Sequence, residues 1–146
     1  SPRRAPRSAA EIPAGMSIYA SSVARTLRLK PSAIDEALGC HLTEPKPGVS
    51  FTAPSRLPPP SVFKSRLRGS VLTLDRGTRM LHRNGRIYIN GEIHVPASGE
   101  FAPLKRLADR RELAPDPRAP EALLQSLHRW YAYGWIHLSK MEHLQP

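Results

Sequence analysis

The 146-residue sequence predicts an α+β chain: an N-terminal helical segment, a proline-rich linker, and a C-terminal module of short antiparallel strands and helices. Three observations carry this reading. Two Asn-Gly pairs, Asn84-Gly85 and Asn90-Gly91, sit between short apolar alternations and specify tight hairpins. Apolar residues recur at intervals of three and four in other stretches, the spacing of amphipathic helices. Six of the sixteen prolines fall between Pro45 and Pro60, where they forbid a helix or a central strand and favour extended chain.

Residues 1–10 are rich in proline and arginine, have nothing to bury, and read as a disordered basic tail. Ile12, Met16, Tyr19, Val23 and Leu27 then line one face of a helix whose first turn accepts Pro13. Pro31 interrupts it. Ser32 can cap a second helix, with Asp35 three positions on; Ile34, Ala37 and Leu38 line its face until Gly39 stops it. Two short helices with one stripe each cannot enclose a core, so 11–42 is expected to pack on another chain, a copy or a further domain. Ile12, Met16, Tyr19, Val23, Leu27, Ile34 and Leu38 are the candidate dimer interface. Residues 43–70 read as the linker, ending in a short basic connector, Val62 to Arg68; the alternative is a recognition segment for an aromatic-lined groove.

The module is expected over 71–138. Val71 to Leu74 reads as a strand, and residues 79–82, 86–90 and 92–95 as a three-stranded meander. Within it Ile87 and Ile89 face a core, while Glu92 and His94 face outward. Ser98 caps a helix that buries Phe101, Leu104, Leu107 and Ala108. Lys105, Arg106, Arg110 and Arg111 point outward from it, a candidate substrate or phosphate contact in which Asp109 and Glu112 are interspersed. After a proline-punctuated loop (112–120), Pro120 opens a last helix with Leu123, Leu124, Leu127, Trp130 and Tyr131 on its apolar face and Gly134 at its end. A closing strand (135–138) and a polar tail (139–146) follow. Strands, helix, turn, helix and final strand are the content of a winged helix, with the 86–95 hairpin as its wing.

The net charge of +10 is uneven. Residues 1–71 hold eleven Lys or Arg against four acids, and residues 72–146 eleven against eight. This favours an anionic partner such as nucleic acid or a ribonucleoprotein; a solvated basic surface is the alternative. The single cysteine, Cys40, excludes an internal disulfide and suits a reducing compartment. No apolar run approaches a membrane span, and no signal-type apolar region occurs, so a cytoplasmic location is expected. The six histidines show no metal-ligand spacing and no His-x-Asp or His-x-Glu. Cys40-His41 are adjacent and without a third orienting group, and no Gly-rich phosphate loop or Gly-x-Ser-x-Gly elbow is present. No catalytic, cofactor-binding or metal residue is therefore assigned. Trp130, Tyr131, Tyr133 and Trp135 form either a core or interface cluster or a base-stacking platform.

Five stretches, in order, carry a family resemblance: Ala9-Ala-Glu-Ile-Pro-Ala-Gly15, Leu42-Thr-Glu-Pro-Lys-Pro-Gly-Val49, Arg86-Ile-Tyr-Ile-Asn-Gly-Glu92, Leu107-Ala-Asp-Arg-Arg111 and Trp130-Tyr-Ala-Tyr-Gly-Trp-Ile-His-Leu138. From about residue 9 to 138 the chain resembles the C-terminal half of bacterial cupin-type (JmjC) ribosomal oxygenases. Those are iron(II)- and 2-oxoglutarate-dependent hydroxylases, the best-known of which act on an arginine of a large-subunit ribosomal protein. The resemblance implies that 11–42 belongs to a dimerisation region and 71–138 to a winged helix. It also implies that the iron ligands lie upstream, with no counterpart here. The function expected is the non-catalytic C-terminal portion of such a hydroxylase, forming a homodimer and supporting binding of its ribosomal protein substrate; iron(II) and 2-oxoglutarate belong to the full-length parent. The alternatives are a stand-alone basic winged-helix protein that binds nucleic acid, and a proline-rich adaptor working through Pro45 to Pro60.

Overall fold

The computed structural model describes residues 8–26 and 30–141, with the side chains of 23–26 outside that description. In chain order the elements are α1 (Ala14–Thr26), α2 (Pro31–Thr43), α3 (Pro60–Arg68), β1 (Ser70–Leu74), β2 (Met80–Arg83), β3 (Arg86–Ile89), β4 (Glu92–His94), α4 (Phe101–Arg110), β5 (Glu112–Leu113), α5 (Glu121–Ala132) and β6 (Ile136–Lys140). The strands form two antiparallel sheets, ordered β2-β3-β4 and β5-β1-β6. Together they make an α+β, winged-helix-like fold.

The meander follows directly from its turns. Asn84 and Asn90 adopt φ of 50° and 47°, and the following Gly85 and Gly91 adopt 76° and 86°. Positive φ at both central residues is what a type I′ hairpin turn requires, and only Gly and Asn adopt it at little cost. The register is thereby fixed, with Met80 opposite Ile89 and Ile87 opposite His94. Ile87 and Ile89 join Leu104 and Leu107 in the core. Tyr88 points the other way and is equally buried, because Gly39 of α2 leaves room for its ring.

That packing changes several expectations. Gly39 does not stop α2. The helix runs on to Thr43, whose hydroxyl donates to the Gly39 carbonyl at 2.9 Å. Ser32 and Ser98 do not cap helices. Pro31 and Phe101 begin α2 and α4, with Lys30 and Glu100 at the caps. The meander shares no strand with the β5-β1-β6 sheet, so the 86–95 hairpin does not extend that sheet. Instead it carries α2 on its outer face. Residues 8–10, expected in a disordered tail, dock on β2: the Ile12 amide donates to His82 O (3.1 Å), and the His82 amide donates to Ala10 O (2.9 Å).

The second sheet closes the chain. β6 pairs with β1 from Ser70 opposite Lys140 to Leu74 opposite Ile136. The stretch from Val62 to Arg68, expected as a connector, belongs to α3, which lays Phe63 and Leu67 into the core beside Leu123, Leu127 and Trp130 of α5. Glu112 and Leu113, expected in a loop, pair with β1. The proline-rich stretch before α3 lies along the body. Pro58 O accepts from His128 Nε2 (2.8 Å), the Phe51 ring meets Trp135 edge-on at 6.3 Å, and the Thr52 carbonyl abuts Gly134, which sits at φ 78°.

Candidate functional site

The four cations expected to contact substrate or phosphate do not act as one group. α4 turns Leu104, Leu107 and Ala108 inward, which leaves Arg106 and Arg110 exposed and Lys105 half-buried. Arg111 ends the helix in the left-handed region, φ 61°. Its guanidinium folds back to donate to Thr78 O (2.9 Å) and Asp75 O (2.8 Å), so it serves the fold and not a ligand. Arg106 and Arg110 line a hollow of about 190 Å³ floored by Leu67, Leu113 and Leu123, with Glu112 and Asp116 in the same wall. Those carboxylates dilute the field there, as their sequence positions imply.

The expected dimer residues also divide. Ile12 is 1% exposed and Ile34 7%, both covered by their own chain. They are withdrawn from any interface because α1 and α2 pack on each other and α2 packs on the meander. Met16 and Leu38 are half-buried, whereas Tyr19 is 73% exposed, beside Ile18 at 69%. Leu27 and the side chain of Val23 lie outside the described residues. Arg83 and Arg86 hold α2 to the sheet, facing Asp35 at 3.9 Å and Glu36 at 3.6 Å.

Three hydrogen-bonded histidine-carboxylate pairs were not foreseen. His94, expected to face outward, is turned in against Trp130, and its Nε2 lies 3.1 Å from Glu100 Oε2. The Ser126 hydroxyl donates to the same Oε2 (2.7 Å), and the Ala97 amide donates to Oε1 (2.8 Å). Serine, histidine and carboxylate suggest hydrolysis, but the geometry refuses it. A nucleophilic serine must give its proton to the imidazole, with the carboxylate behind the ring. Here serine and imidazole converge on one carboxylate oxygen, and Ser126 and Glu100 are 4% and 2% exposed. The cluster is a buried clasp joining β4, the start of α4 and the middle of α5.

His82 makes the second pair, its Nε2 donating to Asp109 Oδ1 at 3.1 Å. Burial pushes the Asp109 carboxyl up, but hydrogen bonds from the Ala10 amide and from His82 outweigh it and hold the group below its usual 3.8. His137 Nε2 meets Asp75 Oδ1 at 2.6 Å. There too burial is overcome, by the hydrogen bonds from His137 and the Gly77 amide and by the nearby Arg111 charge, so Asp75 also lies below 3.8. Burial, then the Glu36, Glu44 and Glu92 charges, raise the Cys40 thiol, which makes it a poor nucleophile. Among the described residues no group of three or more His, Cys, Asp or Glu is placed to hold a metal ion. No helix among them is long and apolar enough to cross a membrane.

The fold matches Escherichia coli YcfD with a TM-score of 0.68 at 19% identity, covering 95% of this chain and 37% of that one. YcfD described as a ribosomal oxygenase in complex with cobalt and 2-oxoglutarate matches at 0.67 and 20%, over 94% of this chain and 38% of that one. The chain thus spans well under half of these structures, corresponding to the C-terminal part. No curated protein sequence matches significantly. The family model for the ROXA-like winged helix matches residues 25–137, more than three quarters of the chain, and the chain belongs to that family.

Proposed function

We propose that the chain is the non-catalytic C-terminal portion of a cupin-type iron(II)- and 2-oxoglutarate-dependent ribosomal protein hydroxylase, serving dimerisation and substrate binding in the cytoplasm. One observation carries the reading: a family match over most of this chain, joined to a fold match that covers only 37% of YcfD. The residues present do not fit the iron. The sequence lacks a His-x-Asp or His-x-Glu, so the metal and 2-oxoglutarate belong to the remainder of the parent, and no chemical step is assigned to this chain.

Self-association is assigned to the exposed side of α1. Ile18 and Tyr19 are large, apolar and mostly exposed there, and Met16 lies beside them half-buried. Contiguous apolar exposure of this kind on a small chain is relieved by a partner surface, and a two-fold copy presents a self-complementary one.

Two measurements test the two parts. An antibody raised against this chain is expected to detect, in lysate of the source cells, a polypeptide of well over twice its mass. A single band at the mass of the chain itself overturns the parentage. Light scattering at tens of micromolar is expected to give a dimer, and I18E/Y19E a folded monomer; a wild-type monomer with its helices intact overturns the dimerisation role.

A further inference from the structure

Between Glu44 and Asp75 the sequence contains no acidic residue, yet it carries Lys46, Arg56, Lys64, Arg66 and Arg68. The last three lie on α3, the helix that replaces the expected connector. Phe63 and Leu67 take its inner face. At 100° per residue, Ser61, Lys64, Ser65 and Arg68 fall together on an outer flank, and all four are exposed. The Met141 amide donates to Gly69 O (3.0 Å), which sets Lys140 of β6 beside the end of this flank. Among the described residues, none of Lys64, Arg66, Arg68 and Lys140 lies within 4.0 Å of a carboxylate.

We infer that this flank of α3, extended by Lys140, binds the phosphate backbone of RNA. Hydroxyls interleaved with Lys and Arg are the side chains that contact phosphate and sugar. The spacing of Lys64 and Arg68, one helical turn, spreads two charges along a strand. The last helix of a winged helix is the usual reader of a duplex groove, but α5 exposes Glu121, Gln125 and Arg129, a face without net charge. Contact is therefore confined to the backbone and is insensitive to base sequence. The choice of RNA over DNA rests on the function proposed above, since a ribosomal protein substrate is assembled on RNA.

Fluorescence anisotropy of the full chain with a labelled RNA duplex of about 20 base pairs tests this at low salt. Binding is expected, with K64E/R68E at least tenfold weaker on several unrelated sequences. K64Q/R68Q should lower the slope of log K against log salt by about 1.8, two phosphate contacts' worth. Circular dichroism checks that the variants fold. Three results overturn the inference: no wild-type binding; equal loss in R106E/R110E or in the tail variant R3E/R4E/R7E; or equally strong binding of a polyglutamate peptide or of DNA. Dimerisation and parentage are read separately, so they can fail without this, and it without them.

Discussion

Gly39→Ala isolates the contact that joins the helical segment to the meander. Gly39 is the ninth residue of thirteen in α2, and in an open helix Ala is favoured over Gly by roughly 0.8–1.0 kcal/mol. A Cβ built on Gly39, however, lies 2.5 Å from Tyr88 Cε1 and Cγ. Carbon atoms pack at about 3.5–4.0 Å, so ring and helix must separate by about 1 Å. Tyr88 is 1% exposed, with β3 hydrogen-bonded on both sides, and has nowhere to retreat. Overpacking of this kind costs about 1–3 kcal/mol, which cancels or outweighs the propensity gain and leaves the variant about 0–2 kcal/mol less stable. Urea unfolding followed by circular dichroism should show a lower midpoint at unchanged slope. In a Tyr88→Leu background the same substitution should become neutral or stabilising, because the ring has gone. A Gly39→Ala protein about 1 kcal/mol more stable than its parent would refute the close approach of α2 to β3.

The other expectations are briefer. Glu100→Ala leaves the Ala97 amide, the Ser126 hydroxyl and His94 without their shared acceptor inside the core, and should cost about 2–4 kcal/mol in the same urea assay. Glu100→Gln, which keeps an acceptor oxygen, should lose less. For Asp109 and Asp75 the folded-state pKa lies below the ordinary 3.8, so their stabilisation is complete above about pH 4 and is lost as pH falls through the folded values. Asp109→Asn should lower stability at neutral pH and flatten the acid limb of a stability-against-pH curve; an unchanged limb would remove Asp109 from that role.

The meander was legible because its signal is local. Two Asn-Gly turns set φ, length and register within ten residues, and the strands lie within a residue or two of their expected bounds. The helical faces were legible in their period but not in their destination. Periodicity at Ile12 and Ile34 marks a side chain as buried, and says nothing of whether a sheet of the same chain or a copy covers it. α3 carried a readable signature, Pro60 at its first position and Phe63 and Leu67 four apart. Yet nine residues cannot sustain a helix in water, and α3 exists because Phe63 finds Tyr131 and His128 of α5, some sixty-five positions away. The Glu100 clasp lies at the far end of that scale. Its members, His94, Ala97, Glu100 and Ser126, share no helical or strand period, and only the folded chain brings them together.

The charge distribution shows why a net value misleads about partners. Four of the eleven cations of residues 72–146 are engaged within the fold: Arg79 donates to Glu44 O, Arg83 to Ile12 O, and Arg111 to Thr78 and Asp75 carbonyls, while Arg86 faces Glu36. Each guanidinium so engaged still adds one unit of charge, but its donors point at the protein, and bidentate phosphate contact needs those donors free. On α4, Arg106 and Arg110 keep their donors but share a wall with Glu112 and Asp116. On α3 the subtraction is smaller: Glu121 of α5 lines one hollow with Ser61 and Lys64, but α3 itself and the proline-rich stretch before it contain no acid, and no carboxylate among the described residues lies within 4.0 Å of Lys64, Arg66 or Arg68. A phosphate strand would thus meet cations whose donors no carboxylate takes at the element whose charges looked, in the sequence alone, like those of a connector.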